Sequence, residues 1–452
     1  MLLVCLKVFL IVAVAVCGVH ALIALAVLIE NRRFARRRRG TLPPDLAEYP
    51  KVALIVLCRG EEANLRDNFL ALICQDYPNF ELQFVAENEA DPAIRVVRNL
   101  MQEHRLARIG LVYSGLAENC GQNPHQIRTA IRKVASNTQI VAVVDASLNV
   151  KSSWLRWMVA RLIEKKAGAV TGAVWSIPRH QSLANKIYCA LLNSFAATFG
   201  PGRQFCVWRG WAARLDVLQA AAMDSVWATS LSEKWTTAEA LRLIRKKVQF
   251  EPQCVGVQTV SINWRSLFSN LTRENVKART YAPTVWRLWF LGSLLVQTGF
   301  WGAVAQAAIE LPTFTSAGLI WSAIALGLYS MGVLRGLVQN QLGKVYSPSW
   351  KQYRATRRFI CLAWPLTSLF GLLVSTISFW KQTVSYRELV YRVASNGSVR
   401  IIGRQTAANP NACDDNGGIE TIPFHQVPPH GEVAPALGST LRPETGDQQR
   451  AA

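Results

Sequence analysis

Hydrophobic and polar positions follow one another in three textures. Residues 2–28 form an apolar run broken by little more than Lys7 and His20, about the length that crosses a bilayer. The run is too long for the apolar core of a signal peptide, and no A-x-A-like site follows it, which argues for a retained anchor. From Pro50 onward the apolar runs shorten to strand length: 52–57 (VALIVL), 82–86 (LQFVA), 110–113 and 140–145 (IVAVVD). Between them lie stretches of helical period at 61–73, 93–103 and 126–135. Strands alternating with helices predict an α/β domain, Rossmann-like, with a mostly parallel sheet covered on both faces. In such sheets ligands bind beyond the C-terminal ends of the strands, so acids just after strands are the ones to inspect. Past Arg279 the chain turns apolar again, and 285–309, 314–334 and 359–380 are three further candidate spans with Trp and Tyr near several ends.

This pattern divides the chain into an N-terminal transmembrane anchor (1–30), a basic linker (31–49) and an α/β domain (50–280). Three candidate membrane segments (281–380), a short basic hairpin-like segment (381–404) and a Pro- and Gly-rich tail expected to be disordered (405–452) follow. Charge sharpens the picture. Fifty Lys and Arg against 29 Asp and Glu give a net +21. The basic residues crowd beside apolar runs, at Arg32 to Arg39 and at Lys351 to Arg358, as cytoplasmic flanks and anionic lipid surfaces require. No nucleic-acid reader motif accompanies the charge, so no nucleic-acid partner is expected. The soluble domain is expected in the cytoplasm and the N-terminus outside. Four crossings would put the C-terminus outside as well, whereas Lys381, Arg387, Arg392 and Arg400 favour the inside. Either one segment lies in the interface or re-enters, or these basic residues lie outside. Ten cysteines without a CxxC or a Cys/His cluster indicate neither zinc nor a disulfide framework.

Residues 50–78 (PKVALIVLCRGEEANLRDNFLALICQDYP) open a series that continues in order. VAENEADPAI (85–94), GQNPHQI (121–127), VVDASLNV (143–150), RLDVL (214–218) and SYRELVYRVASNGSV (385–399) complete it. The series resembles the ceramide glucosyltransferases and their bacterial relatives, of family-two and family-twenty-one type. The resemblance implies a GT-A fold and inverting transfer of a hexose from a nucleotide-sugar, of UDP-hexose type, to a lipid hydroxyl.

Such transfer needs a hard divalent cation, Mg²⁺ or Mn²⁺, held by oxygen ligands on the diphosphate. It also needs polar groups on the nucleoside and a carboxylate to take the acceptor proton. Asp145, ending an apolar strand, matches the family's metal-side aspartate, and the same residue also fits a strand-end Asx cap. Glu87, Glu89 and Asp91 crowd the end of the second strand. Asp91 matches the family's D-P-A and Glu87 stands at the nucleoside, while a solvated acidic turn before Pro92 is the plainer alternative.

Departures from the family pattern gather at the catalytic positions. The acidic pair of the catalytic base, about fifteen residues after RLDVL, reads Glu233-Lys234, and a lysine is protonated at neutral pH. Glu233 is the remaining candidate base. The (Q/R)-x-x-R-W motif reads NLTRE, keeping Arg273 but placing Glu274 at the Trp, or ENVKA, where Lys277 keeps only a charge. The Lys of the family's N-P-K is His125, and Trp208 replaces a small Gly. Two readings therefore stand: an active lipid hexosyltransferase, or a catalytically silent relative acting as a membrane scaffold or regulator. A small transporter fits less well, because the spans carry few charges and no inverted repeat is evident.

Overall fold

The computed structural model describes residues 2–60, 62–104, 109–202, 204–313, 315–347, 354–386, 389–405 and 419–421. A helix, α1 (Leu2–Arg38), precedes an alternating series: β1 (Val52–Leu57), α2 (Leu65–Ile73), β2 (Phe80–Ala86), α3 (Pro92–Glu103), β3 (Ile109–Tyr113), α4 (Gln122–Ile131) and β4 (Ile140–Asp145). Every residue of β1 is buried, as an apolar strand covered by helices on both faces must be. The second half runs β5 (Leu148–Asn149), α5 (Trp154–Lys165), β6 (Ala169–Thr171), β7 (Val174–Pro178), α6 (Leu183–Ala196), β8 (Gly210–Arg214), α7 (Leu215–Ala220), α8 (Met223–Ala228), α9 (Glu233–Leu243), β9 (Val248–Phe250) and β10 (Gly256–Val260).

The main sheet has seven strands in the order β3-β2-β1-β4-β8-β6-β9. Its first four are parallel, β8 runs antiparallel to both β4 and β6, and β9 is again parallel to β6. The α/β expectation and the first four strands hold. Because β2 lies on one side of β1 and β4 on the other, the chain reverses its direction of travel at β1, and a crevice opens there beyond the strand ends. Register places Leu57 opposite Asp145 at that crevice. A smaller sheet, β5-β10-β7, completes the wall beside it.

Among the described residues, three helices are long and apolar enough to cross a membrane: α1, α11 (Pro283–Glu310) and α12 (Ser316–Tyr346). They pack closely. A Cβ on Gly299 of α11 would come within 2.6 Å of the Ala13 carbonyl oxygen, so only glycine lets the two backbones meet there. The helix α1 runs on through Arg38, well past the expected end of the anchor. Its last turns join the α/β core through Leu28 and Ala35, and the Asn31 amide donates to the Ala197 carbonyl at 2.7 Å.

The expected span over 359–380 is not one helix. It divides into α13 (Arg354–Leu362) and α14 (Trp364–Trp380), bent by 79°. Pro365 in the first turn of α14 supplies no N–H and cannot continue the preceding helix. From this elbow α14 lies along α10 (Trp264–Tyr281) and α6. Phe370 packs on Phe268 at 5.1 Å, Ser375 donates to Asn275 at 2.8 Å, and Val374 is buried with Tyr188 and Leu271. The elbow therefore returns the chain to the face it left. There β11 (Thr383–Tyr386), β12 (Leu389–Val393) and β13 (Val399–Gln405) form the expected hairpin segment, which packs on α10 through Val276. A short strand, β14 (Ile419–Thr421), pairs with β13 inside the expected disordered tail. The rest of that tail lies outside the described residues.

Candidate functional site

A cleft of about 420 Å³ lies beyond the C-terminal ends of β1 and β4. Its chemistry comes from Asp145 and Glu62, from Arg209 just before β8, from Arg265 and Arg273 on α10, and from Tyr386 on β11. The helix α10 supplies one wall because its N-cap Asn263 accepts from the Ser266 amide at 2.8 Å, setting the entry of the chain after β10.

Asp145 is where a strand-end acid was expected. Its Oδ1 accepts from both the backbone N–H and the hydroxyl of Ser147, at 2.9 and 2.6 Å, which is the Asx geometry. Arg209 stands across the β4–β8 pair, its carbonyl accepting from the Asp145 N–H at 2.9 Å. Burial opposes the charge on Arg209, but Asp145, Tyr188, Tyr386 and Glu274 together overcome it and hold the guanidinium above its ordinary value. Among the described residues no three acids, histidines or cysteines come together as ligands. Asp145 offers one carboxylate whose first oxygen is already engaged, with an arginine beside it. With Glu62 the cleft offers two carboxylates against three arginines, a donor set that does not fit a resident hard divalent cation, which needs several free oxygens.

Beyond the cleft a charged cluster joins α9 to α10. Glu274 accepts from Lys234, and lies 3.4 Å from Lys277 Nζ and 3.6 Å from Arg273 Nε. Desolvation works against the Glu274 carboxylate, but Lys234, Lys277 and Arg273 overcome it and hold its pKa well below the usual range. Lys234 is raised: burial opposes its charge and Glu274 more than compensates. Lys277 goes the other way, pushed down to about 8 by burial, with Arg273 and Lys234 adding to the effect against the pull of Glu274. The Lys234 ammonium also sits 5.5 Å from the Trp208 ring centre. Tyr386 gathers three cations around its ring: Arg273 at 4.3 Å, Arg59 at 4.8 Å and Lys277 at 5.7 Å.

Of the residues singled out from sequence, Asp145 and Arg273 line the cleft, and Lys277 reaches it through Tyr386. Glu233 is buried at the first turn of α9, beside Lys277 and Cys206, and does not line the cleft. Asp91 caps α3 by accepting from Ala93, and both its oxygens take the Gly60 N–H at 2.9 Å, so it anchors the turn after β1 that carries Arg59. His125 Nε2 donates to the Ser114 carbonyl at 2.8 Å, and Glu87 is buried at the end of β2. Neither they nor Asp91 line the cleft. Sequence reasoning missed Arg209, Arg265 and Tyr386. Tyr386 was within reach, since it is the second residue of the SYRE segment already noted.

Ceramide glucosyltransferase 1 of Caenorhabditis elegans is 26% identical over 163 residues, covering 36% of this chain and 32% of that protein. The match thus spans about a third of the relative's length. Among solved structures, the mannosyltransferase PcManGT of Pyrobaculum calidifontis, in complex with GDP-Man and Mn²⁺, aligns over 81% of this chain and 99% of its own, at 15% identity and a TM-score of 0.43. S. aureus TarS 1-349 in complex with UDP-GlcNAc aligns over 68% of this chain and 91% of its own, at 13% identity and a TM-score of 0.34. The profile of one family runs through residues 10–399, from the first membrane helix into the C-terminal hairpin, and by that match the chain belongs to glycosyl transferase family 21.

Proposed function

We propose that this protein is a membrane-embedded transferase that moves a hexose from a nucleotide-diphosphate sugar to a lipid hydroxyl, with inversion. One observation carries the reading. The cleft at the β1/β4 crevice is walled by α10, and α10 continues through Ala282 into the membrane helix α11, so a bound donor sits against the bilayer. Asp145 faces the diphosphate, Arg273 and Lys277 bind the nucleotide-sugar on the side from which the acceptor approaches, and Glu233 is the carboxylate that remains to take the acceptor proton. Glu87 and Asp91 set the nucleoside end, Asp91 through the turn it anchors. Three crossing helices plus an elbow that returns to its own face keep the α/β domain and hairpin on one side. The Arg32–Arg39 and Arg354–Arg358 clusters favour the cytoplasm for that side.

A second reading has its own observation. Lys234, held by Glu274, occupies the position where relatives supply the base, which favours a silent homologue that binds nucleotide without transfer. Purified protein in liposomes of mixed lipid, given radiolabelled UDP-hexose, separates the two. Label moving into the lipid phase, and lost in Asp145→Ala, supports the transferase. UDP binding by calorimetry with no label transferred favours the silent homologue. Neither binding nor transfer ends both.

A further inference from the structure

The cleft and its surroundings hold more cationic groups than their carboxylates neutralise. Arg209, Arg265 and Arg273 line it against Glu62 and Asp145, and Arg59 and Lys277 crowd the Tyr386 ring that forms its edge. Two of these cations carry buried donors with no hydrogen-bond partner, Arg59 Nη1 and Arg273 Nε, in side chains 9% and 4% exposed. The one Glu274 carboxylate near them is shared by Lys277, Arg273 and Lys234, so three like charges around one ring remain costly unless a further anion joins them. A diphosphate has the charge and the acceptor oxygens to do so, and arginine forks suit it. Asp145, by contrast, is engaged with Ser147 and stands beside Arg209, a poor seat for a divalent ion.

We propose that the donor's diphosphate charge is met in this chain by Arg209, Arg265 and Arg273, with Arg59 and Lys277 behind Tyr386, so that nucleotide binds without a divalent cation. This rests on the nucleotide-sugar reading above. Arg209 is the fixed charge at the strand end, Arg265 closes the exposed rim, and the Tyr386 group holds the far oxygens.

The test uses the full chain in lipid nanodiscs, with UDP and GDP as probes, titrated calorimetrically in excess EDTA and again in saturating Mn²⁺. The expected Kd values agree within about threefold, less than 1 kcal/mol. The Arg273→Gln variant should weaken binding by about tenfold or more, the loss of one charge-assisted contact. Because Arg273 is buried, Arg265→Gln provides a rim variant that leaves the core intact. It should weaken binding in EDTA and make the loss of binding with salt shallower. Binding that appears only with Mn²⁺ overturns the inference but keeps the nucleotide-sugar reading. Binding indifferent to Arg265→Gln and Arg273→Gln, in folded protein, also overturns it. No binding under either condition overturns both.

Discussion

Glu274 is the point at which the charged cluster can be tested most sharply. Its carboxylate serves Lys234, Lys277 and Arg273, which are 8%, 8% and 4% exposed. The Glu274→Gln variant strips all three cations of their shared partner. Breaking a buried pair by removing one member costs about 3–5 kcal/mol. The Glu274 side chain keeps 22% exposure, which places the expectation near the lower end. Lys234→Met should cost less, about 1–2 kcal/mol, since Glu274 still has two cations. The double variant removes one cation along with the carboxylate. It should be less damaging than the sum of the singles by about 2 kcal/mol. The fifteen tryptophans give a fluorescence signal for unfolding in a fixed detergent. At roughly 2–4 °C per kcal/mol, Glu274→Gln should lower the midpoint by about 6–12 °C. The pH dependence follows from the sign of the shift. A carboxylate whose folded pKa is depressed contributes stability above its unfolded value, and loses it as pH falls through the folded one. The wild type should therefore lose stability on acidification below the ordinary Glu range, and Glu274→Gln should lack that component. Additivity of the two substitutions within about 0.5 kcal/mol, or identical acid profiles, would refute the coupling.

Lys277, with its pKa lowered to about 8, titrates in the opposite sense. Between about 8 and its unfolded value near 10.4 the unfolded chain binds the extra proton, so stability should rise with pH there. Lys277→Met should flatten that slope in the same fluorescence assay. Tyr281 clasps the hairpin: its hydroxyl accepts from the Leu231 N–H and donates to the Gly397 carbonyl, both at 2.7 Å. Tyr281→Phe leaves those two groups unsatisfied, at about 1–3 kcal/mol, and limited proteolysis should then cut the hairpin earlier. Gly299→Leu drives a side chain into the Ala13 carbonyl and should separate α1 from α11. An engineered disulfide between those helices, read by mobility on a gel, should then fail to form.

Much of the α/β domain was legible because its strands are buried on both faces and read as unbroken apolar runs. The expected bounds of β1 and β4 match the structure. The helix α4 starts at Gln122, four residues before the expected start. Pro124 falls in its first turn, where the N–H has no intrahelical partner and proline is tolerated. The elbow after α13 was hidden for a related reason. Hydropathy over 359–380 is continuous, and only Pro365 marks the place where the helix axis turns. The site was less legible. Glu87, Asp91 and His125 stand near strand ends, but acids at strand ends also cap helices and hold turns, and spacing cannot separate those uses. Arg209 was invisible because β8 enters the sheet antiparallel among parallel neighbours. Periodicity reports which residues face inward, not which strand they will face.

The two departures that most weakened the catalytic reading prove to be one structural feature. Lys234 at the expected base and Glu274 at the expected tryptophan lie 40 residues apart and bond to each other. Taken singly, each is a loss. A lysine in the second position of α9 opposes the helix dipole, and a carboxylate nearly buried on α10 carries a desolvation cost. Together they neutralise one another and bring Lys277 and Arg273 into the same network. Random decay gives no reason for a charge introduced at one position to be met by its opposite at another. A reciprocal replacement keeps the fold intact while changing what the acceptor side of the cleft presents. On the transferase reading proposed above, Asp145, Arg209 and Arg265 in the cleft serve the donor, so the Lys234–Glu274 pair is expected to bear on the acceptor. The Lys234→Asp/Glu274→Trp variant, which restores the family pattern at both positions, should therefore leave UDP affinity within about threefold of the parent. It should change which lipids accept label in the liposome assay. A change in UDP affinity with no change in acceptor would locate the alteration on the donor side instead.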